Sequence, residues 1–140
     1  MNVQRSTFNA QRSSAGRVYD LEDRLLEYAV RVIRVTESTK RIRAGLHIAD
    51  QLLRAGTSPY GNHGEAEGAE SRDDFVHKLR VCFKELRESR RWLKLIQRAE
   101  LIDRPELLGG VIKEADELVR IFAQSIQTAR KHQEEGKLER

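Results

Sequence analysis

One cysteine, two prolines and one tryptophan are spread over 140 residues. A single thiol, Cys82, excludes an internal disulfide framework and a multi-cysteine zinc site. Two prolines, nine glycines and 6% aromatics argue against a β-sandwich or barrel, which needs frequent turns and β-branched runs. No apolar stretch approaches the roughly 20 residues of a membrane span. No apolar signal core follows the N-terminus, so the expected location is cytoplasmic, with no membrane partner. What the chain has in quantity is charge, at 34% of residues. Its length suits one domain, and its composition favours helix.

The net charge of +4 is unevenly distributed. Residues 1–18 carry Arg5, Arg12 and Arg17 and no acid, are rich in Ser, Asn and Gln, and have no apolar period. They are expected to form a disordered basic arm. Residues 71–98 hold nine Lys or Arg against four acids, whereas 44–70 hold one Arg against four acids. Basic charge is thus concentrated on the arm and on one later segment.

Between the arm and a short tail at 137–140, residues 19–136 divide into four amphipathic helices. The first spans about 19–40, with Asp20 as its expected N-cap and Leu21, Leu25, Tyr28, Val32 and Val35 as its stripe. The second starts near Ala44 and carries Leu46, Ala49, Leu52, Leu53 and Ala55. Pro59 is expected to kink or restart it, because proline lacks the backbone donor. The third opens with Ser71 as N-cap and runs to about Glu100. Its stripe is Phe75, Leu79, Cys82, Leu86, Leu93 and Ile96, with Ser89 filling a gap. The fourth is expected from Pro105 to about Glu135, with Leu108, Val111, Ala115, Leu118, Phe122, Ser125 and Ala129 at 3/4 spacing. Short connections make successive helices antiparallel. The fold expected is all-α, an up-down-up-down antiparallel four-helix bundle.

The fourth helix carries a second apolar line, Ile112, Val119 and Ile126. Together with Val30 and Ile33 beside the first helix's stripe, it points to a subunit interface. The competing reading is a well-filled monomer core. On the third helix, Arg80, Lys84, Arg87, Arg91, Lys94 and Arg98 step by 3 and 4. At ~100° per residue they share an arc of about 80°, turned about 130° from the apolar stripe, and span about 27 Å. Such a ridge can meet several phosphates of a nucleic-acid strand. The bland reading is a solvated face paired with Glu85 and Glu88 at helical spacing. No stacking motif accompanies the ridge, so any readout would be of backbone and shape.

The stretch from Ser58 to Leu93 carries a resemblance. It reads Ser58-Pro59-Tyr60-Gly61-Asn62-His63-Gly64-Glu65, then Ser71-Arg72-Asp73-Asp74-Phe75, then Lys84-Glu85-Leu86-Arg87-Glu88 and Trp92-Leu93. This is similar to the bacterial four-helix-bundle family typified by proteins encoded in 23S ribosomal RNA intervening sequences. The family pattern places Ser, Asn and Glu 4 and 3 apart, here Ser58, Asn62 and Glu65, and Gly45-Leu46 and Gln51-Leu52-Leu53-Arg54 also fit. The likeness covers roughly residues 19–130. It implies a ring-shaped homopentamer and nucleic-acid binding. It also implies kinship with the accessory variability determinant of diversity-generating retroelements, which works with a reverse transcriptase and RNA. Pro59 stands where the family prefers Ile or Val, and Gly61 and Gly64 where Ala is usual. From the residues alone, Asn62 and Glu65 share a helical face. They either satisfy each other and nearby backbone or line a functional surface, and a Glu near a bundle core calls for a partner such as an Arg from another helix.

Enzyme readings have less behind them. Arg72-Asp73-x-x-x-His77 resembles the short catalytic motif of HEPN-type ribonucleases, in which His acts as acid or base and Arg steadies phosphate charge. A di-iron bundle needs paired Glu-x-x-His motifs, and only Asp74-x-x-His77 comes near; His47, His63 and His132 have no such partner. No metal or cofactor is expected. The sequence thus points to a non-enzymatic, oligomeric bundle that binds RNA, more than DNA, through its basic ridge, as an accessory of a nucleoprotein or reverse-transcriptase machine. The alternatives are a protein-binding scaffold without nucleic-acid affinity and a HEPN-like ribonuclease.

Overall fold

The computed structural model describes residues 17–138, with side chains from Leu21 onward. Four α-helices follow one another: α1 (Arg17–Ser38), α2 (Arg43–Glu67), α3 (Arg72–Arg98) and α4 (Gly109–Leu138), with a 3-10 turn at Pro105–Leu108. The described residues contain no strand. Helix α2 packs on α1 and α3, α3 packs on α4, and α4 closes against α1 least extensively. This is the all-α, up-down-up-down bundle that the periodicity implied. Most of the expected arm, residues 1–18, lies outside the described residues; its last two positions already belong to α1. At the other end α4 continues through Lys137 and Leu138, inside the expected tail.

Local chemistry explains the boundaries, several of which differ from the sequence reading. Asp20 sits inside α1 rather than capping it. That helix stops at Ser38, short of Lys40, where hydroxyls take over its terminal carbonyls. Ser38 Oγ donates to Arg34 O at 2.9 Å and Thr39 Oγ1 to Val35 O at 2.8 Å. Lys40 N–H then donates to Leu101 O, tying the α1–α2 turn to the α3–α4 turn. Ser71 caps α3 as expected, accepting from Asp74 N–H at 3.0 Å. The far end of α3 closes with Glu100 at φ 52° and Leu101 N–H donating to Ile96 O, a left-handed cap built without glycine. Pro105 opens the 3-10 turn, and α4 proper begins only at Gly109.

Pro59 does not restart α2, which runs unbroken from Arg43 to Glu67. The proline is fully buried, and its carbonyl accepts a contact from Cys82 Sγ at 3.6 Å. Packing against α3 thus holds a residue that would break an isolated helix. Three residues earlier, Gly56 lets α1 and α2 approach. A Cβ there would lie 2.6 Å from Val32 Cγ1.

The core is formed by Leu25, Tyr28 and Val32 of α1, Leu52 of α2, Leu86, Leu93 and Ile96 of α3, and Leu118 and Phe122 of α4. Each such side chain contributes roughly 1.5–3 kcal/mol through burial. Tyr28 and Ser89 are both fully buried and share a hydrogen bond of 2.7 Å between their hydroxyls, so Ser89 is the polar partner of a core tyrosine. The second apolar line of α4 joins this core: Val119 is buried, and Ile112 and Ile126 pack against it. The surplus apolar surface lies elsewhere. Leu26 and Ile33 of α1 and Leu46, Leu53 and Tyr60 of α2 are exposed.

Candidate nucleic-acid interface

Helix α3 holds the ridge where its period placed it. Arg80, Lys84, Arg87, Arg91, Lys94 and Arg98 are all exposed, while Leu79, Cys82, Leu86, Ser89, Leu93 and Ile96 of the same helix are buried. Burial of one stripe fixes the rotation of the helix and so directs the other outward. None of the six ridge cations is ion-paired with a described residue. Arg87 lies over the Phe83 ring, 5.5 Å from its centroid, which orients the guanidinium without neutralising it.

The two acids that could have neutralised the ridge are engaged on the other flank of α3. Glu88 accepts from Arg54 Nη2 of α2 and, at 3.0 Å, from Trp92 Nε1. Glu85 accepts from Asn62 Nδ2 at 3.3 Å and stands 4.0 Å from Arg54 Nη1, its Oε2 buried without a hydrogen bond. Arg54 thus joins α2 to the Lys-Glu-x-x-Glu segment of α3. Sequence reasoning names Arg54 only as part of the family pattern and gives it no role, although it is the lone Lys or Arg in the acidic 44–70 segment.

Ser58 and Asn62 are linked along α2, and Glu65 has a partner of its own on α3. Ser58 Oγ donates to Arg54 O, Asn62 Nδ2 also donates to Ser58 O, and Glu65 accepts from Lys78 Nζ at 2.7 Å. Asn62 and Glu65 therefore do not satisfy each other. The acid requiring an arginine from another helix is Glu85, and Glu65 is an exposed residue paired with a lysine. The hydrogen bond to Glu65 raises the Lys78 pKa above its ordinary value. Asn62 and Glu65 act within the α2–α3 contact, whereas the Ser58 hydroxyl bonds within α2.

Other candidate chemistry does not assemble. Arg72 and His77 are both exposed but lie about 140° apart around α3. Cys82 is buried, and burial pushes its thiol up to about 12, so the nucleophilic thiolate is suppressed. Among the described residues no three His, Cys, Asp or Glu side chains converge as a metal site. None of the helices is long and apolar enough to cross a membrane, among the described residues.

Comparison with known proteins places this geometry in context. A family model described as 23S rRNA-intervening sequence protein matches residues 20–124. A crystal structure of a protein of unknown function from the S23 ribosomal protein family of Bacteroides thetaiotaomicron superposes with TM-score 0.72 at 32% identity, covering 80% of this chain and 99% of that one. No curated protein matches the chain.

Proposed function

The chain belongs to the 23S rRNA-intervening sequence protein family, and from that premise we propose that it is a non-enzymatic, self-associating bundle that binds RNA backbone through α3. One observation carries the reading: six exposed cations lie along one face of α3 while Glu85 and Glu88 are turned away toward Arg54 and Asn62. Charge left uncompensated at ~3/4 spacing attracts a regular array of phosphates. The family description, with its reference to 23S rRNA, favours RNA over DNA as the partner. The HEPN-like ribonuclease reading receives no comparable support, because Arg72 and His77 occupy different sides of α3.

Self-association is proposed through the α1–α2 face, not through α4. Leu46, Leu53 and Tyr60 recur every seven residues along α2, the spacing of a helix seam that seeks a partner, and all three are exposed. Leu26 and Ile33 add apolar surface on the adjoining α1. A ring of five subunits, the assembly implied by the family resemblance, is the proposed form.

Binding of a mixed-sequence labelled RNA at several salt concentrations tests the ridge. Wild type is expected to bind with a log–log salt slope of about −0.7 per phosphate engaged on a single strand. The triple variant Arg87→Glu, Arg91→Glu, Lys94→Glu is expected to lose most of that affinity and slope while remaining folded. Equal binding by the two proteins, or no binding by wild type at low salt, removes the proposal and leaves the protein-scaffold reading.

A further inference from the structure

One end of the bundle holds a cavity that neither the ridge nor the α1–α2 face uses. Its volume is about 980 Å³, and it lies where the start of α1, the end of α2, the start of α3 and the later part of α4 converge. His63 lines it, 6% exposed, with its ring edge-on to Phe122 and centroids 6.1 Å apart. The His63 Nδ1 is buried without a hydrogen-bond partner among the described residues, and Glu67 Oε1 stands 3.7 Å from it. Leaving such a polar group unsatisfied is unfavourable, so the imidazole is poised to gain from a ligand that bonds to it.

The remaining lining sets the chemistry of that ligand. Arg72 and Arg120 are exposed members of the lining, and neither is ion-paired with a described residue. Arg24, by contrast, is engaged with Glu114 at 2.6 Å and Glu117 at 2.8 Å. Leu21, Phe75 and Leu79 supply an apolar wall, and Gln124, Ser125 and Thr128 of α4 supply hydrogen-bonding groups. Pockets for small organic ligands span roughly 300–1,000 Å³. An inorganic anion would use the arginines alone. A fatty carboxylate would use the arginines and the apolar wall but leave His63 and the α4 polar row unmatched. A nucleoside phosphate has all three chemistries: an anion for guanidinium forks, a flat body for the apolar wall and polar edges for α4.

We infer that this cavity binds a nucleoside monophosphate, either free or as the 5′-terminal nucleotide of a strand. The phosphate binds to Arg120 and to Arg72, whose guanidinium lies over the Phe75 ring 6.0 Å from its centroid, with the base against Leu21 and Leu79 and the polar edges toward α4 and His63. None of these residues belongs to the ridge, so the inference stands apart from the RNA-backbone reading.

Calorimetric titration of the full chain tests it, using AMP, GMP, CMP, UMP, inorganic phosphate and octanoate. At least one nucleotide is expected to bind one to one. Arg72→Ala and Arg120→Ala, both at exposed positions, are each expected to weaken it about tenfold or more. The ridge triple variant is expected to leave it unchanged, and phosphate and octanoate to bind far more weakly. In the ridge-variant background, preference for a 5′-phosphorylated over a 5′-hydroxyl oligonucleotide assigns the strand end; binding of the mononucleotide without that preference assigns the free ligand. The inference is overturned by absence of both, by octanoate binding more tightly than every nucleotide, or by nucleotide binding indifferent to both arginine substitutions.

Discussion

Tyr28 reaches Ser89 of α3 and Cys82 reaches Pro59 O of α2 within the same core, and burial holds both in the neutral form. Desolvation pushes the Tyr28 phenol from 10.0 up to about 12, against the opposing effect of its hydrogen bond with Ser89. Desolvation, reinforced by Glu85, pushes the Cys82 thiol from 9.0 up to about 12. Because both folded-state values are raised, the unfolded chain sheds these protons first as pH rises. Stability is therefore retained below about pH 9 and lost progressively toward pH 12. Urea unfolding at pH 8 and pH 11 should show this loss. Tyr28→Phe and Cys82→Ala should each reduce the difference between the two pH values, even though both lower stability at pH 8. An unchanged difference in both variants would show that other groups govern the alkaline limb.

At the scale of the element, α3 is delimited by two caps of opposite quality. Ser71 accepts from Asp74 N–H, and Asp73 and Asp74 add negative charge to the positive end of the helix. At the other end Glu100 holds φ 52°, a conformation that costs a side-chain-bearing residue about 1 kcal/mol and glycine almost nothing. Ser71→Ala is expected to lower stability by about 1 kcal/mol, and Glu100→Gly to raise it by up to about 1 kcal/mol. Denaturant midpoints measured at constant slope distinguish the two; a destabilising Glu100→Gly would mean that the Glu100 side chain matters more than its backbone. Helix α2 teaches the converse lesson. Local propensity argues against continuing through Pro59, yet Leu52, Ala55, Pro59, His63 and Ala66 form one buried face against the bundle. Summed packing outweighs the ~3 kcal/mol propensity cost of one proline.

For the whole molecule, the ridge and most of the exposed apolar residues lie on different helices, Leu95 of α3 being an exposed leucine beside the ridge. The ridge occupies α3, and the exposed apolar row occupies α1 and α2. The proposed contact between copies and the proposed RNA contact therefore draw on different residues. Sedimentation velocity is expected to show a species larger than one subunit, pentameric on the family resemblance. Leu46→Glu with Leu53→Glu should reduce it to the mass of one chain without loss of helix content. A wild type that sediments as a single chain at micromolar concentration removes the assembly proposal.

The bundle and the ridge were legible in the sequence because both follow from the 3.6-residue period of single helices. Once Leu79, Leu86 and Leu93 face inward, Arg80, Arg87 and Lys94 must face out. What the period does not contain is how one helix meets another. The pairing of Glu85 and Glu88 with Arg54 joins residues more than 30 positions apart. The absorption of Val119 into the core, the exposure of Leu46 and Leu53, and the gathering of His63, Arg72 and Arg120 around one cavity likewise depend on helix crossing and rotation. Those are set by the combined packing of four helices. Periodicity thus determined the elements and their outward charges, and tertiary packing decided which charges remained free and which surfaces remained open.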